Sequence, residues 1–170
     1  TGAREDLVGL HFVEEKLGWA VGANGVILRT DMAGAYWELQ DSGTRDWLED
    51  VEFFDEKRGV AVGSRGAILR TSDGGATWEK VKTNLTENLN AVAFFDDKRG
   101  WAVGARGTIL RTDDGGATWI DREAAVAGNL YAAATFRRDE VVIVGEQGTV
   151  LRTQDGGETW ERQPNVTSQT

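Results

Sequence analysis

The chain has 170 residues, 28% of them charged, a formal net charge of −9 and no cysteine. That length suits one domain or one array of small units, and the acidic balance argues against a nucleic-acid backbone as the main ligand, since such binders carry a basic excess. Without cysteine there is no disulfide framework and no thiolate metal site, and no run of 18 apolar residues offers a membrane span.

Four stretches follow one another with the same pattern. The first occupies 7–39, the second 48–81, the third 89–123 and the fourth 130–163. Gly22, Gly63, Gly104 and Gly145 stand 41 residues apart, as do Trp37, Trp78, Trp119 and Trp160, and Arg29, Arg70, Arg111 and Arg152. A fixed period near 40 marks a repeat architecture in which each unit buries its apolar face against the next.

The third stretch reads most clearly. Residues 90–95 are rich in β-branched and aromatic side chains and predict a first strand, followed by the polar turn Asp96-Asp97-Lys98-Arg99-Gly100. A second strand over 101–103, a tight turn at Gly104-Ala105-Arg106-Gly107, a third strand over 108–111, a turn at Asp114-Gly115-Gly116 and a fourth strand over 118–122 complete an antiparallel meander. The first and second stretches read the same way. The fourth keeps the second half of the pattern but has RRDEVVIVG where the others have a turn glycine, which predicts a different first turn. Four strands in about 40 residues is the size of a β-propeller blade. The expected fold is therefore all-β: four blades, near 6–46, 47–87, 88–128 and 129–164. Each blade is apolar on both faces, with Trp101 and Val103 pointing to one side and Ala102 to the other.

Between third and fourth strands sits a stricter string: Thr71-Ser72-Asp73-Gly74-Gly75-Ala76-Thr77-Trp78 and its copies at 112–119 and 153–160. An aspartate before a glycine pair can accept backbone N–H bonds and hold a tight turn, and the tryptophan buries a large ring whose N–H needs a partner. This resembles the Asp-box of bacterial neuraminidase repeats, and the longer string VGxxGxILRTxDGGxTW is similar to the photosystem II stability/assembly factor family. The resemblance covers essentially the whole chain. It implies a propeller in which Asp73, Asp114 and Asp155, with Trp37, Trp78, Trp119 and Trp160, are structural and lie away from the binding face. The first copy departs from it, with Met32 for the aspartate, Ala33 for a glycine and Tyr36 for the threonine; Asp31 is the nearby carboxylate that could stand in. A calcium loop at these aspartates would have too few carboxylates.

Propellers of this family close with about six to eight blades, and four leave two bare faces. Each face, roughly 19 by 17 Å from strand spacings, would expose about 320 Å², worth on the order of 5 kcal/mol if two-thirds apolar. Two chains joining head to tail into an eight-bladed ring, a longer propeller of which this is a piece, and a closed four-bladed ring all remain open.

Two sets of residues are candidates for holding a protein or peptide partner. Arg29, Arg70, Arg111 and Arg152 end the third strands; the resemblance implies an arginine-rich docking surface, and guanidinium groups recognise carboxylates. Each could equally bond the adjoining blade. Arg65 and Arg106 occupy the turn between second and third strands, where other units have Asn24 and Gln147, and differ between blades as binding residues do. Trp47 stands outside the repeated tryptophan position and adds an aromatic anchor or a buried cap. The DEKR and DDKR turns at 55–58 and 96–99 read as solvated charge pairs. His11, the only histidine, has no second histidine for a zinc site.

A sialidase would need a tyrosine nucleophile paired with a glutamate, and three arginines. Tyr36 lies in the degenerate turn, and only Tyr131 with Glu146, Arg65 and Arg106 offers a weak imitation. No nucleophile triad, phosphate loop, metal cluster or cofactor motif is visible. The expected function is a noncatalytic scaffold binding a protein or peptide, an assembly or stability factor for a larger complex; a carbohydrate-binding or glycoside-hydrolysing propeller is the competing class. Zero cysteine suits an exported protein, periplasmic or lumenal, and also many cytosolic ones, so the compartment stays open.

Overall fold

Leucine at 7, 48, 89 and 130 opens the first strand of each unit, and each strand pairs back through a short polar turn. The computed structural model describes residues 4–122, 124 and 126–164. In chain order the first sheet holds β1 (Leu7–Phe12), β2 (Gly18–Gly22), β3 (Ile27–Thr30) and β4 (Glu38–Gln40). The second holds β5 (Leu48–Phe53), β6 (Gly59–Gly63), β7 (Ile68–Thr71) and β8 (Glu79–Lys80). The third holds β9 (Leu89–Phe94), β10 (Gly100–Gly104), β11 (Ile109–Thr112) and β12 (Ile120–Asp121). The fourth holds β13 (Leu130–Arg137), β14 (Glu140–Gly145), β15 (Thr149–Thr153) and β16 (Glu161–Arg162). Each sheet is an antiparallel meander in sequence order, so each is one blade. The chain is an all-β arc of four propeller blades.

The first strands β1, β5, β9 and β13 lie beside one another and line the inside of the arc. Alternation along each strand then assigns side chains to the two seams. Trp19, Val21 and Ile27 of the first blade pack with Leu48, Val51, Phe53, Ala61 and Leu69 of the second. Val60, Val62 and Ile68 pack with Leu89, Val92 and Phe94, and Trp101, Val103 and Ile109 with Leu130, Ile143 and Leu151. Ala102 turns back toward the second blade, leaving room for its neighbour's larger side chains. The fourth blade's first hairpin differs as expected: β13 runs on to Arg137, with an irregularity between Thr135 and Arg137.

Hydrogen bonds explain the T-x-D-G-G turn. The Thr71 hydroxyl accepts from the Gly75 N–H at 2.9 Å and donates to Asp73 Oδ1 at 2.9 Å. Asp73 in turn accepts from the Thr77 N–H (2.9 Å) and hydroxyl (2.6 Å). The copies at Asp114 and Asp155 repeat this set. The hydroxyl and N–H of Thr159, with the Thr153 hydroxyl, hold the Asp155 carboxyl down at about 2. In the first unit only the threonine half survives, with Thr30 Oγ1 accepting from Met32 N and Gly34 N at 3.2 and 3.1 Å. Asp31 does not replace the missing carboxylate; it pairs with Arg29 at 3.7 Å. Ala33 is held at φ 54°, where the other copies have glycine. The double substitution Met32→Asp, Ala33→Gly is expected to stabilise the chain by about 1–2 kcal/mol, from restored hydrogen bonds and relieved left-handed strain, read as a raised Tm in thermal unfolding.

The DEKR and DDKR turns are more than solvated charge pairs. Arg58 bonds Asp55 at 2.8 Å and also Asp97 of the next blade at 2.9 Å. Arg99 bonds Asp113 at 2.6 Å and reaches Asp139 of the fourth blade. One arginine per turn thus ties neighbouring blades, a role invisible until the blades are set side by side.

Candidate interaction face

The tip between second and third strands is built from backbone. In each blade it is a single 3-10 turn whose central residue is left-handed: Asn24, Arg65, Arg106 and Gln147, at φ 55, 55, 55 and 53°. The preceding N–H groups, of Ala23, Ser64, Ala105 and Glu146, donate to the carbonyls of Asp6, Trp47, Asn88 and Asn129, which lead into the first strands. A following glycine lets the link between blades cross closely: a Cβ at Gly66 would lie 2.5 Å from the Leu85 carbonyl, and at Gly107 2.0 Å from that of Val126. Tips and links therefore share one face of the arc.

On this face Arg65 and Arg106 point outward, with side chains 74% and 82% exposed. Both have an acidic neighbour from the preceding link. Arg65 pairs with Asp46, whose side chain is only 4% exposed and which also holds Lys80 at 3.3 Å. Burial alone would push the Asp46 carboxyl up, but the Thr44 hydroxyl, Lys80 and Arg65 together hold it below the usual aspartate range. Arg106 lies 3.8 Å from Glu87, a looser pairing. Asp46 and Glu87 occupy the same repeat position, one period apart, and the other copies have Glu5 and Gly128 there. Aligning the link position with the tip position would have revealed these acids from sequence. Trp47 sits beside Asp46, 37% exposed, its backbone N–H donating to Ser64 Oγ at 2.9 Å. Asp46, Trp47, Ser64 and Arg65 thus form one cluster.

The third-strand arginines lie beside the glycine turns, and two of them reach the following blade. Arg70 Nε donates to the Gly115 carbonyl at 3.0 Å, and Arg111 Nη1 to that of Gly156 at 2.8 Å. Arg29 is next to Asp31, while the Gly74 carbonyl is taken by Trp19 Nε1 and Gln40 Nε2. Arg152, on the last blade, bonds Glu140 at 3.0 Å. The structure does not gather these four with Arg65 and Arg106. Nor does it free Glu146 beside Tyr131, since the Glu146 carboxylate accepts the Asn129 N–H at 3.1 Å.

Two carboxylates were missed as candidates altogether. Asp50 and Glu52, on the inner strand β5, accept the Val92 and Phe94 N–H groups of β9 at 2.9 and 3.1 Å. Burial pushes both upward, Glu52 to about 7, the backbone bonds opposing and the Asp50 charge adding to the rise. Among the described residues neither pairs with a lysine or arginine. His11 holds the Glu52 position in the first blade; burial lowers it, opposed by a bond to the Phe53 backbone. No group of His, Cys, Asp and Glu among the described residues could hold a metal ion, and no described helix is long and apolar enough to cross a membrane.

Comparison with known proteins gives a family and a fold. A structure of YCF48 bound to a D1 peptide matches with a TM-score of 0.67 and 17% identity, covering 95% of this chain and 81% of that one. YCF48 from Cyanidioschyzon merolae matches with a TM-score of 0.77 and 20% identity, over 99% of this chain and 59% of that one. An ancestral GH74 enzyme gives a TM-score of 0.80 at 12% identity, over 97% of this chain but 25% of that one. The chain therefore spans only part of the length of these propellers. No curated protein sequence matches it. The family described as Photosynthesis system II assembly factor YCF48 matches residues 30–91 and 76–167, most of the chain, and with the repeated blades and turns this places the protein in the YCF48 family.

Proposed function

We propose that the protein is a noncatalytic scaffold that binds a peptide segment of a partner on its tip face, as an assembly or stability factor does for a larger complex. The observation that carries this reading is the pair of outward guanidinium groups on adjacent tips, Arg65 and Arg106, beside the exposed ring of Trp47. Arginine forks and an aromatic anchor are the side chains that supply most binding energy at protein surfaces. Family membership and the peptide held by the related YCF48 structure support it. Arg106, with the looser acidic neighbour, is the first contact for a ligand carboxylate. Arg65 follows, because Asp46 keeps Lys80 when Arg65 turns to a ligand. Arg70 and Arg111 contribute by holding the blades in register, while the Arg29 and Arg152 side chains keep more of their surface open to a partner than that of Arg111 does.

The repeat itself supplies a gentle test. Asn24 already occupies the left-handed tip position, and asparagine tolerates that backbone well. The double variant Arg65→Asn, Arg106→Asn is expected to keep its Tm and to bind a D1 peptide at least about tenfold more weakly than the parent chain, from lost charge-assisted hydrogen bonds. Unchanged affinity in calorimetric titration would remove this face from the reading. Release of sugar from xyloglucan or a sialoside would move the protein to the glycoside-hydrolysing class.

A further inference from the structure

The seam between the second and third blades, flanked by a blade on either side, is not filled out to its rim. A cavity of about 390 Å³ opens there, between the link at 82–85 and the outer strands of the third blade. Leu85, Leu110 and Trp119 give it an apolar wall, and Lys82, Asn84 and Asp121 a polar one. The repeat shows what occupies this space one seam earlier. Asp121 pairs across from Leu110 as Lys80 does from Leu69. Lys80 runs from its outer strand to the preceding link, where its ammonium meets the Asp46 carboxylate at 3.3 Å. In the second seam the acid of the link is kept, as Glu87, one period on from Asp46, but the lysine is replaced by Asp121. Aspartate is too short to cross and has the wrong sign to pair with Glu87. The path that a lysine side chain takes in one seam is therefore open in the next, with a carboxylate at each end.

We propose that this cavity binds the lysine side chain of a protein partner, with the aliphatic stem against Leu85, Leu110 and Trp119 and the ammonium between Asp121 and Glu87. Among the described residues Asp121 pairs with no lysine or arginine, and the one cation near Glu87 is Arg106 at 3.8 Å. A lysine ammonium is a compact point charge that suits two carboxylates, and its stem lies readily on apolar surface. The Trp119 indole N–H is already spent on the Gly116 carbonyl at 3.1 Å. The ring therefore offers the cavity carbon and π electrons, which attract a cation. Lys82, exposed at the rim, makes no ion pair among the described residues and so does not fill the place itself; its charge, in open solvent, is screened. The site is distinct from the guanidinium groups of Arg65 and Arg106 and does not rest on their holding a peptide.

The test is an NMR titration with Nα-acetyl-lysine N-methylamide, a lysine side chain on a neutral backbone, followed at the Trp119 indole N–H. Saturable shifts with a Kd of about 1–10 mM are expected. The same compound acetylated on Nζ is expected to bind at least about tenfold more weakly, because it has lost the charge that the carboxylates recognise. Asp121→Lys copies the second blade and supplies the ammonium from within, so it is expected to abolish the shifts. Asp121→Asn, which keeps the shape, is expected to weaken binding at least about fivefold. The double variant Arg65→Asn, Arg106→Asn is expected to bind the lysine compound at least as tightly as the parent, since it frees Glu87. A peptide result that goes against the tip arginines therefore leaves this one standing. Absence of saturable shifts, equal binding of the acetylated compound, binding that survives Asp121→Lys, or binding lost in the double variant would each overturn the proposal.

Discussion

Replacing Trp19 with alanine is expected to destabilise the protein by about 3–5 kcal/mol, the range for losing a fully buried large aromatic. Trp19 is 0% exposed and stacks flat on Phe53, with ring centroids 3.4 Å apart and planes 7° from parallel. Its indole N–H donates to the Gly74 carbonyl at 3.2 Å, so the ring joins strand, seam and glycine turn at once. At this chain length the loss corresponds to a Tm lower by roughly 6–20 °C. Trp47→Ala is the control. That ring is partly exposed and outside the seams, and its loss is expected to cost less than about 1 kcal/mol. Equal Tm losses for the two variants would show that the first seam does not depend on the stacked pair.

The second large effect is a dependence of stability on pH that runs against ordinary acid denaturation. Glu52 is pushed up from 4.5 to about 7 by burial between β5 and β9, so the folded chain keeps a proton that the unfolded chain releases. Its contribution to stability is fully present below pH 4.5 and is lost as pH rises through about 7. A shift of this size corresponds to about 3 kcal/mol across that window. His11, lowered by burial, works in the opposite sense, since its contribution is present above pH 6.5 and falls away on acidification. The turn aspartates act in a separate window: Asp155, held at about 2, loses its contribution only as pH falls below 3.8. Comparing Glu52→Gln with the parent isolates the first effect. The variant's advantage in urea unfolding is expected to grow by about 3 kcal/mol between pH 4.5 and 8. A constant difference across that range would show that Glu52 ionises freely.

The architecture was legible because the period is strict. Four glycines, four arginines and four tryptophans at a constant step fix the number of blades, and the polar turns between apolar runs fix the strands within them. What stayed hidden depends on distances across the seam. Glu52 looks like the solvent-facing residue of an alternating strand in LEDVEF, and only the placement of β5 against β9 makes it a half-buried acceptor. Arg58 and Arg99 look like surface charges in sequence, yet each reaches an aspartate of the next blade. The fourth strands were expected to be longer; β8, β12 and β16 pair over two residues each, because Thr118 and its counterparts Thr77 and Thr159 are held in the turn by the aspartate. At the candidate site the sequence marked Arg65 and Arg106 through their variation between copies, but not the acids that restrain them, which arrive from the links.

The tips have a consequence for how such a protein could change its ligand. Each is fixed by main-chain bonds and a glycine, none of which involves the side chain at its centre. The chain already tolerates Asn24, Arg65, Arg106 and Gln147 in that one conformation. Four sockets of identical shape therefore stand in a row, and long polar residues can be exchanged among them without touching those bonds, whereas a β-branched one would be strained at φ near 55°. Selection can rewrite the reading head letter by letter while the frame that carries it is left untouched.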